Sequence, residues 1–476
     1  MSTTSQASQR IKTLLDENSF VEIGALVMAR ATDFNLKQTE TPSDGVITGY
    51  GVIDSNLVYV YSQDVSVLNG TVGEMHAKKI ANLYDLAMKT GAPVIGLINS
   101  AGLRLQEATD ALNGFGEIYM KQVNASGVIP QITAIFGTCG GGLALIPTLT
   151  DFTFMEEKSG KLFVNAPNAI DDNEISKCDT SSAVFQSKEA GIVDVVSDET
   201  SVLAQIRELV SILPASNEDN MSFDECMDDL NRTCEELVNC AGDTSIALSQ
   251  ISDNGIFFET KRNYAKDMVT GFIKLNGATV GAVANRTEVF DAEGKSVESF
   301  DAVLSAKGCD KAADFVNFCD AFDIPVLTLT NVKGFASSKC EEKKIAKAAA
   351  RLTYAFANAT VPKVNVITKK AFGSAYVAMN SKALGADITM AWPDAEIGTM
   401  DAKLAAKIIC DGQGSEAIDA CAQEYAKLQT SAAGAAARGY VDQIVEPSET
   451  RKYIIGAFEM LYTKHEDRPA KKHGTV

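Results

Sequence analysis

Two short stretches of small residues carry the clearest chemistry in this chain. Gly140-Gly141-Gly142 follows an apolar run, and Gly373-Ser374-Ala375-Tyr376 follows another. Consecutive residues with little or no Cβ let backbone N–H groups converge on one point. A helix opening directly after such a turn adds partial positive charge. A turn of this kind can hold an oxyanion, and preorganised donors of that sort are often the largest catalytic term. A tight strand-to-helix turn packed under a sheet would read the same way. The recurrence of the pattern favours a functional role.

Side-chain chemistry is thin around these turns. The chain has three histidines, His76, His465 and His473. Two lie near the C-terminus, and His76 falls in a helical pattern beside Lys78 and Lys79. A Ser–His–Asp or Cys–His arrangement has little to draw on. The ten cysteines form no Cys-x-x-Cys pair, and no His, Cys and carboxylate cluster has metal-ligand spacing, so no metal is expected. Catalysis by backbone dipoles is what remains, with any base supplied by a cofactor. Lys78, Lys79, Lys121 and Arg104 are candidates to meet the phosphates of a bulky anionic ligand. Arg104 follows Gly102 in a loop after a buried strand. Residues 87–90 (AMKT) look like a biotin-attachment tetrapeptide, but they end an amphipathic helix instead of sitting at a hairpin tip.

The elements that must position the turns are themselves repeated. A constant spacing of 232 residues relates Ala92 to Ile324, Gly102 to Gly334 and Pro130 to Pro362. Nearer the start of each half the spacing is 222, from Thr48-Gly49 to Thr270-Gly271. The polar stretch 288–300 (EVFDAEGKSVESF) is placed to hold the ten extra residues. Each half reads as two hairpin strands, a helix, a buried strand, a loop and helix, another buried strand, and the turn. Residues 94–99 and 132–136 are short apolar runs bounded by Pro or Gly, as buried strands are. Residues 73–90 place Met75, Ile80, Leu83, Leu86 and Ala87 at helical spacing. An acidic helical segment over 200–250 joins the halves, giving domains 1–245 and 246–476.

Composition sets the remaining bounds. A chain of 476 residues is long for one core, and 46% hydrophobic with 22% charged residues is ordinary for a globular protein. The net charge of −19 opposes nucleic acid and anionic membrane, so an anionic ligand needs local donors. No apolar run approaches the ~20 residues that span a bilayer, and the first residues lack a signal-peptide apolar stretch. A cytoplasmic protein is expected.

Specific motifs then bring in a family. Residues 44–51 (DGVITGYG), 73–80 (GEMHAKKI), 125–131 (ASGVIPQ), 150–155 (TDFTFM), 391–397 (AWPDAEI) and 468–474 (RPAKKHG) resemble the carboxyltransferase (β) subunits of biotin-dependent acyl-CoA carboxylases and the related transcarboxylase and acyl-CoA decarboxylase subunits. The resemblance runs nearly end to end. It implies an α/β chain of two tandem crotonase-like domains of the ββα-superhelix type, assembled as a hexamer. It implies acyl-CoA on the N-terminal domain, with the thioester oxygen held by Gly141 and Gly142. It implies biotin, carried on a separate carrier protein, on the C-terminal domain, with the ureido oxygen held by Ser374 and Ala375. Gly140, Gly102, Gly334 and Tyr376 would line these sites. Implied partners are the biotin carboxyl carrier protein and a biotin carboxylase, or a membrane subunit if the chain serves a sodium-pumping decarboxylase. A non-catalytic CoA-ester-binding paralogue is a third reading. Departures from the family pattern cluster in the second half, at Ser374, Lys333, Arg286-Thr287 and Met400-Asp401. Asp401 would place negative charge near an anion site unless it caps the helix that follows.

Overall fold

In the computed structural model, the described residues are 5–30, 41–219, 225–471 and 474. His473 and Lys472 of the C-terminal motif lie outside them. The chain divides into two compact units, Met1–Ser222 and Phe223–Val476. The division comes earlier than residue 245 because Cys234, Leu237 and Cys240 belong to the core of the second unit. The acidic segment is only partly helical. Glu199–Ile212 is a helix of the first unit, while Leu237–Cys240 and Thr244–Ile251 are short helices of the second.

The first unit is built on a seven-stranded sheet in the order Val21–Ile23, Val46–Ile53, Asn56–Gln63, Val94–Ile98, Gln131–Ile135, Phe152–Glu156, Val195–Ser197. The first three strands pair antiparallel and the rest parallel. Val94–Ile98 and Gln131–Ile135 are buried at every position, which explains runs that are apolar apart from Gln131 and Thr133. The helix Glu74–Thr90 buries Ala77, Ile80, Leu83, Tyr84 and Ala87 against this core and stops at Gly91, whose φ is +62°. Lys89 stands in its last turn.

The second unit repeats this order. Phe257–Thr260, Met268–Leu275, Ala278–Asn285, Val326–Val332, Lys363–Phe372, Ile388–Ala391 and Gln443–Ile444 follow one another, with Glu396–Gly398 added beside the far end of Lys363–Phe372. The change in spacing from 222 to 232 falls where a hairpin, half-buried Glu288–Phe290 with exposed Ser296–Ser299, interrupts the repeat.

Polar latches of the same kind occur in both units. Thr153 N–H donates to Asp194 and Thr389 N–H to Asp442, each at 2.8 Å. Gln131 N–H donates to Asp151 and Lys363 N–H to Asp387, again at 2.8 Å. These bonds tie neighbouring parallel strands of each sheet together.

Candidate active site: two matched backbone turns

In the first unit, Thr138–Gly140 leaves the sheet and pairs with Lys161–Phe163. The chain then reverses at Gly141, with φ +62°, into the 3-10 turn Gly141–Ala144. In the second unit, Lys363–Phe372 runs to Gly373, also with φ +62°, and the helix Gly373–Ala378 begins. That left-handed conformation favours glycine. The residue after each glycine, Gly142 or Ser374, is exposed, and the next, Leu143 or Ala375, is buried. The first N–H groups of a helical turn have no acceptor within it, so each turn presents free donors beside an open surface. The register matches Gly142 with Ser374, and it matches Ala375 with Leu143 instead of a glycine.

A second loop is held beside each turn by the same bonds. Val72 N–H donates to Gly102 O at 2.8 Å, and Arg104 N–H to Val72 O at 2.9 Å. In the other unit Leu304 N–H donates to Gly334 O and Ala336 N–H to Leu304 O, both at 2.9 Å. Gly102 has φ +97°, and a Cβ there would stand 3.9 Å from Gly140 O, so this loop adjoins the first turn. Asn99 N–H is anchored on Gln63 Oε1 at 3.2 Å, and its counterpart Asn331 N–H on Asn285 Oδ1 at 3.1 Å.

Comparison with known proteins places the chain in a family. A carboxyl transferase domain model matches residues 4–476. The chain belongs to that family. It is 40% identical over 488 residues to the methylmalonyl-CoA decarboxylase subunit alpha of Propionigenium modestum, covering 99% of this chain and 92% of that one. It is 40% identical over 484 residues to the propionyl-CoA carboxylase beta chain of Roseobacter denitrificans, covering 99% and 93%. Among solved structures, the transcarboxylase 12S hexamer with hydrolysed methylmalonyl-coenzyme A bound superposes with a TM-score of 0.92 at 36% identity, covering 98% and 92%. This carboxyltransferase therefore has the crotonase-like fold.

Several cations expected at a ligand are committed elsewhere in the carboxyltransferase. Arg104 is 1% exposed, and its guanidinium meets Asp44 at 2.6 Å, Glu107 at 2.8 Å and Thr71 O at 2.7 Å. It is a buried strut that ties the Gly102 loop to the helix Glu74–Thr90, whose first N–H is capped by Glu107 at 2.6 Å. Lys79 is also buried and donates to the carbonyls of Ser43 and Val46. Lys311, 232 residues later, donates to those of Lys261, Tyr264 and Met268. Burial pulls their pKa values down, to about 8 and about 7. The pair is a repeated structural plug, which removes Lys79 from the phosphate-binding candidates. Lys78 is exposed and pairs with Glu74 one helical turn away, at 2.7 Å. Lys121 pairs with Asp85 at 2.5 Å.

On the second turn, Tyr376 packs against the small core that contains Ile367, Ala371 and Ile397, and burial pushes its pKa up to about 12. Asp401 caps the following helix by accepting from the N–H groups of Lys403 and Leu404, at 3.0 and 3.3 Å. Asp401 thus takes the capping role, with its charge on the N-terminus of that helix. The open Ser374 N–H and the left-handed Gly373 fit a ureido oxygen. Tyr119 was not evident from the sequence. Its hydroxyl donates to Gly142 O at 2.6 Å across a separation of 23 residues, which no local pattern announces.

Proposed function

We propose that this carboxyltransferase moves a carboxyl group between carboxybiotin on a carrier protein and the α-carbon of a short acyl-CoA, of the propionyl-CoA and methylmalonyl-CoA type. The observation that carries the reading is the pair of matched turns, one glycine-only and one bearing Ser374. Gly141 and Gly142 donate backbone N–H groups to the thioester oxygen as it gains charge on enolisation. Ser374 and Ala375 do the same for the ureido oxygen. Carboxybiotin, when bound, supplies the carboxyl group and the base that takes the α-proton. Each donor meets charge that develops during the reaction, and losing one typically costs roughly 10²–10³ in rate. Assembly as a homo-hexamer and partnership with a biotin carboxyl carrier protein and biotin carboxylase complete this reading. The similarity to methylmalonyl-CoA decarboxylase alpha subunits supports a second one, in which the same half-reaction runs backwards in a membrane complex.

The test is carboxyl transfer between methylmalonyl-CoA and free biotin by the purified chain, alone and as Ser374→Pro. Proline is tolerated in the first turn of a helix and removes one N–H. Transfer by the wild type and a kcat loss of roughly 10²–10³ in the variant are expected. A wild type that binds acyl-CoA without turnover would overturn the catalytic reading in favour of a CoA-ester-binding paralogue.

A further inference from the structure

The two turns differ in what stands behind them. At the first, the Tyr119 hydroxyl donates to Gly142 O at 2.6 Å, and a Cβ built on Gly142 would lie 3.1 Å from that hydroxyl. Leu145 N–H donates to the same carbonyl, so both of its lone pairs are used and the peptide plane after Gly142 is fixed. Tyr119 is itself held by Phe115, a buried ring whose centroid lies 6.0 Å away. At the second turn, the residue 232 positions after Tyr119 is Arg351, which turns to Asp310 at 3.0 Å. A serine side chain stands at position 374.

We propose that Tyr119 is a positioning residue for carboxyl transfer, acting through the Gly142 peptide to hold the acyl-CoA oxyanion donors in place, and that it is the reason position 142 is glycine. The proposal rests on the assignment of acyl-CoA to the first turn. Burial raises the pKa of Tyr119, so its hydroxyl remains a donor through the neutral range. The hydroxyl does not need to touch substrate. By anchoring the Gly142 carbonyl it holds the Gly142 Cα against rotation of the turn, and with it the preceding peptide whose N–H must aim at the enolate oxygen; small misplacements at a reacting centre cost rate far more than affinity.

Tyr119→Phe keeps the ring and deletes only the donor. In methylmalonyl-CoA and free-biotin assays, kcat should fall roughly tenfold, while KM for the acyl-CoA stays within about twofold and thermal stability is nearly unchanged. Gly142→Ala should lower kcat in the wild type but add little to Tyr119→Phe, because the hydroxyl it strikes is gone. Wild-type kcat in Tyr119→Phe, additive losses in the double variant, or a loss of melting temperature with unchanged kcat would each overturn the proposal. Fluorotyrosine placed at position 119 separates it from the underlying assignment. Its ¹⁹F resonance should move with propionyl-CoA and not with biotin. A shift with biotin alone, together with the kcat loss, would overturn the acyl-CoA assignment and leave the positioning role in place.

Discussion

His76 shows how a residue type that suggests catalysis is consumed by structure. It is fully buried, its Nδ1 donates to Asp44 O at 3.0 Å, and its Nε2 accepts from Gln63 Nε2 at 3.2 Å. Gln63 in turn uses its oxygen for Asn99 N–H, so its amide is locked and faces His76 with a donor. Burial and the nearby Arg104 lower the His76 pKa to about 3. Between that value and the unfolded histidine value of ~6.5, the unfolded chain holds the extra proton. Stability therefore rises with pH across this window. It is complete above about 6.5 and is lost as pH falls towards 3. Thermal unfolding followed from pH 7 to 4.5 should show a decline that is shallower in His76→Gln, although that variant starts from a lower melting temperature. An equal slope in both proteins would mean that other groups set the acid sensitivity. Arg104 and Lys79 teach the same lesson at this scale. Their types and places, a loop for Arg104 and a helix for Lys79, were legible, but Asp44 and Glu107, and the carbonyls of Ser43 and Val46, reach them only through folding. Sequence spacing does not show whether a cation faces solvent or a buried carboxylate.

Elements were more legible than individual contacts, because periodicity and spacing are local properties. The helix Glu74–Thr90 and the strands Val94–Ile98 and Gln131–Ile135 stand where the apolar pattern puts them. The 232-residue spacing reaches single hydrogen bonds, such as those latching Gly102 and Gly334. What the pattern could not give is the conformation of the turns, since a run of small residues permits many. Gly141 and Gly373 share φ +62°, and their surroundings differ. A Cβ on Gly141 would meet nothing within 4 Å, whereas one on Gly373 would lie 3.3 Å from Thr399 O. Gly141→Ala should therefore suffer only backbone strain, about 1–2 kcal/mol, relieved by rotation of a short surface turn. That rotation re-aims the donors, so kcat should drop roughly 10²-fold with little loss of melting temperature. Gly373→Ala adds the approach to Thr399 and should lose more stability. Steady-state kinetics beside calorimetry would read both effects, and equal stability losses would show that strain alone decides them.

At the scale of the whole molecule, the described residues place two matched backbone turns and no histidine at either. His76 is sealed in a core, His465 is exposed beside Asp467, and His473 lies outside the described residues. Cys139, next to the first turn, is a buried thiol whose pKa is pushed far up by desolvation, so it is not available as a thiolate. No described group of three or more His, Cys, Asp or Glu side chains has the arrangement of a metal site. On the proposed reading, with no histidine or reactive thiolate at the first turn among the described residues, the second substrate must take the proton. Propionyl-CoA incubated with the chain in D2O should thus keep its α-hydrogens, and mass spectrometry should detect exchange only when carboxybiotin turns over. Exchange without biotin would reveal a protein base beside Gly141 and Gly142. Tyr119 would then be the first group to test, because its hydroxyl abuts that turn. The prediction separates a scaffold of two backbone sites from an enzyme with its own acid–base residue, and it does so before any variant is made.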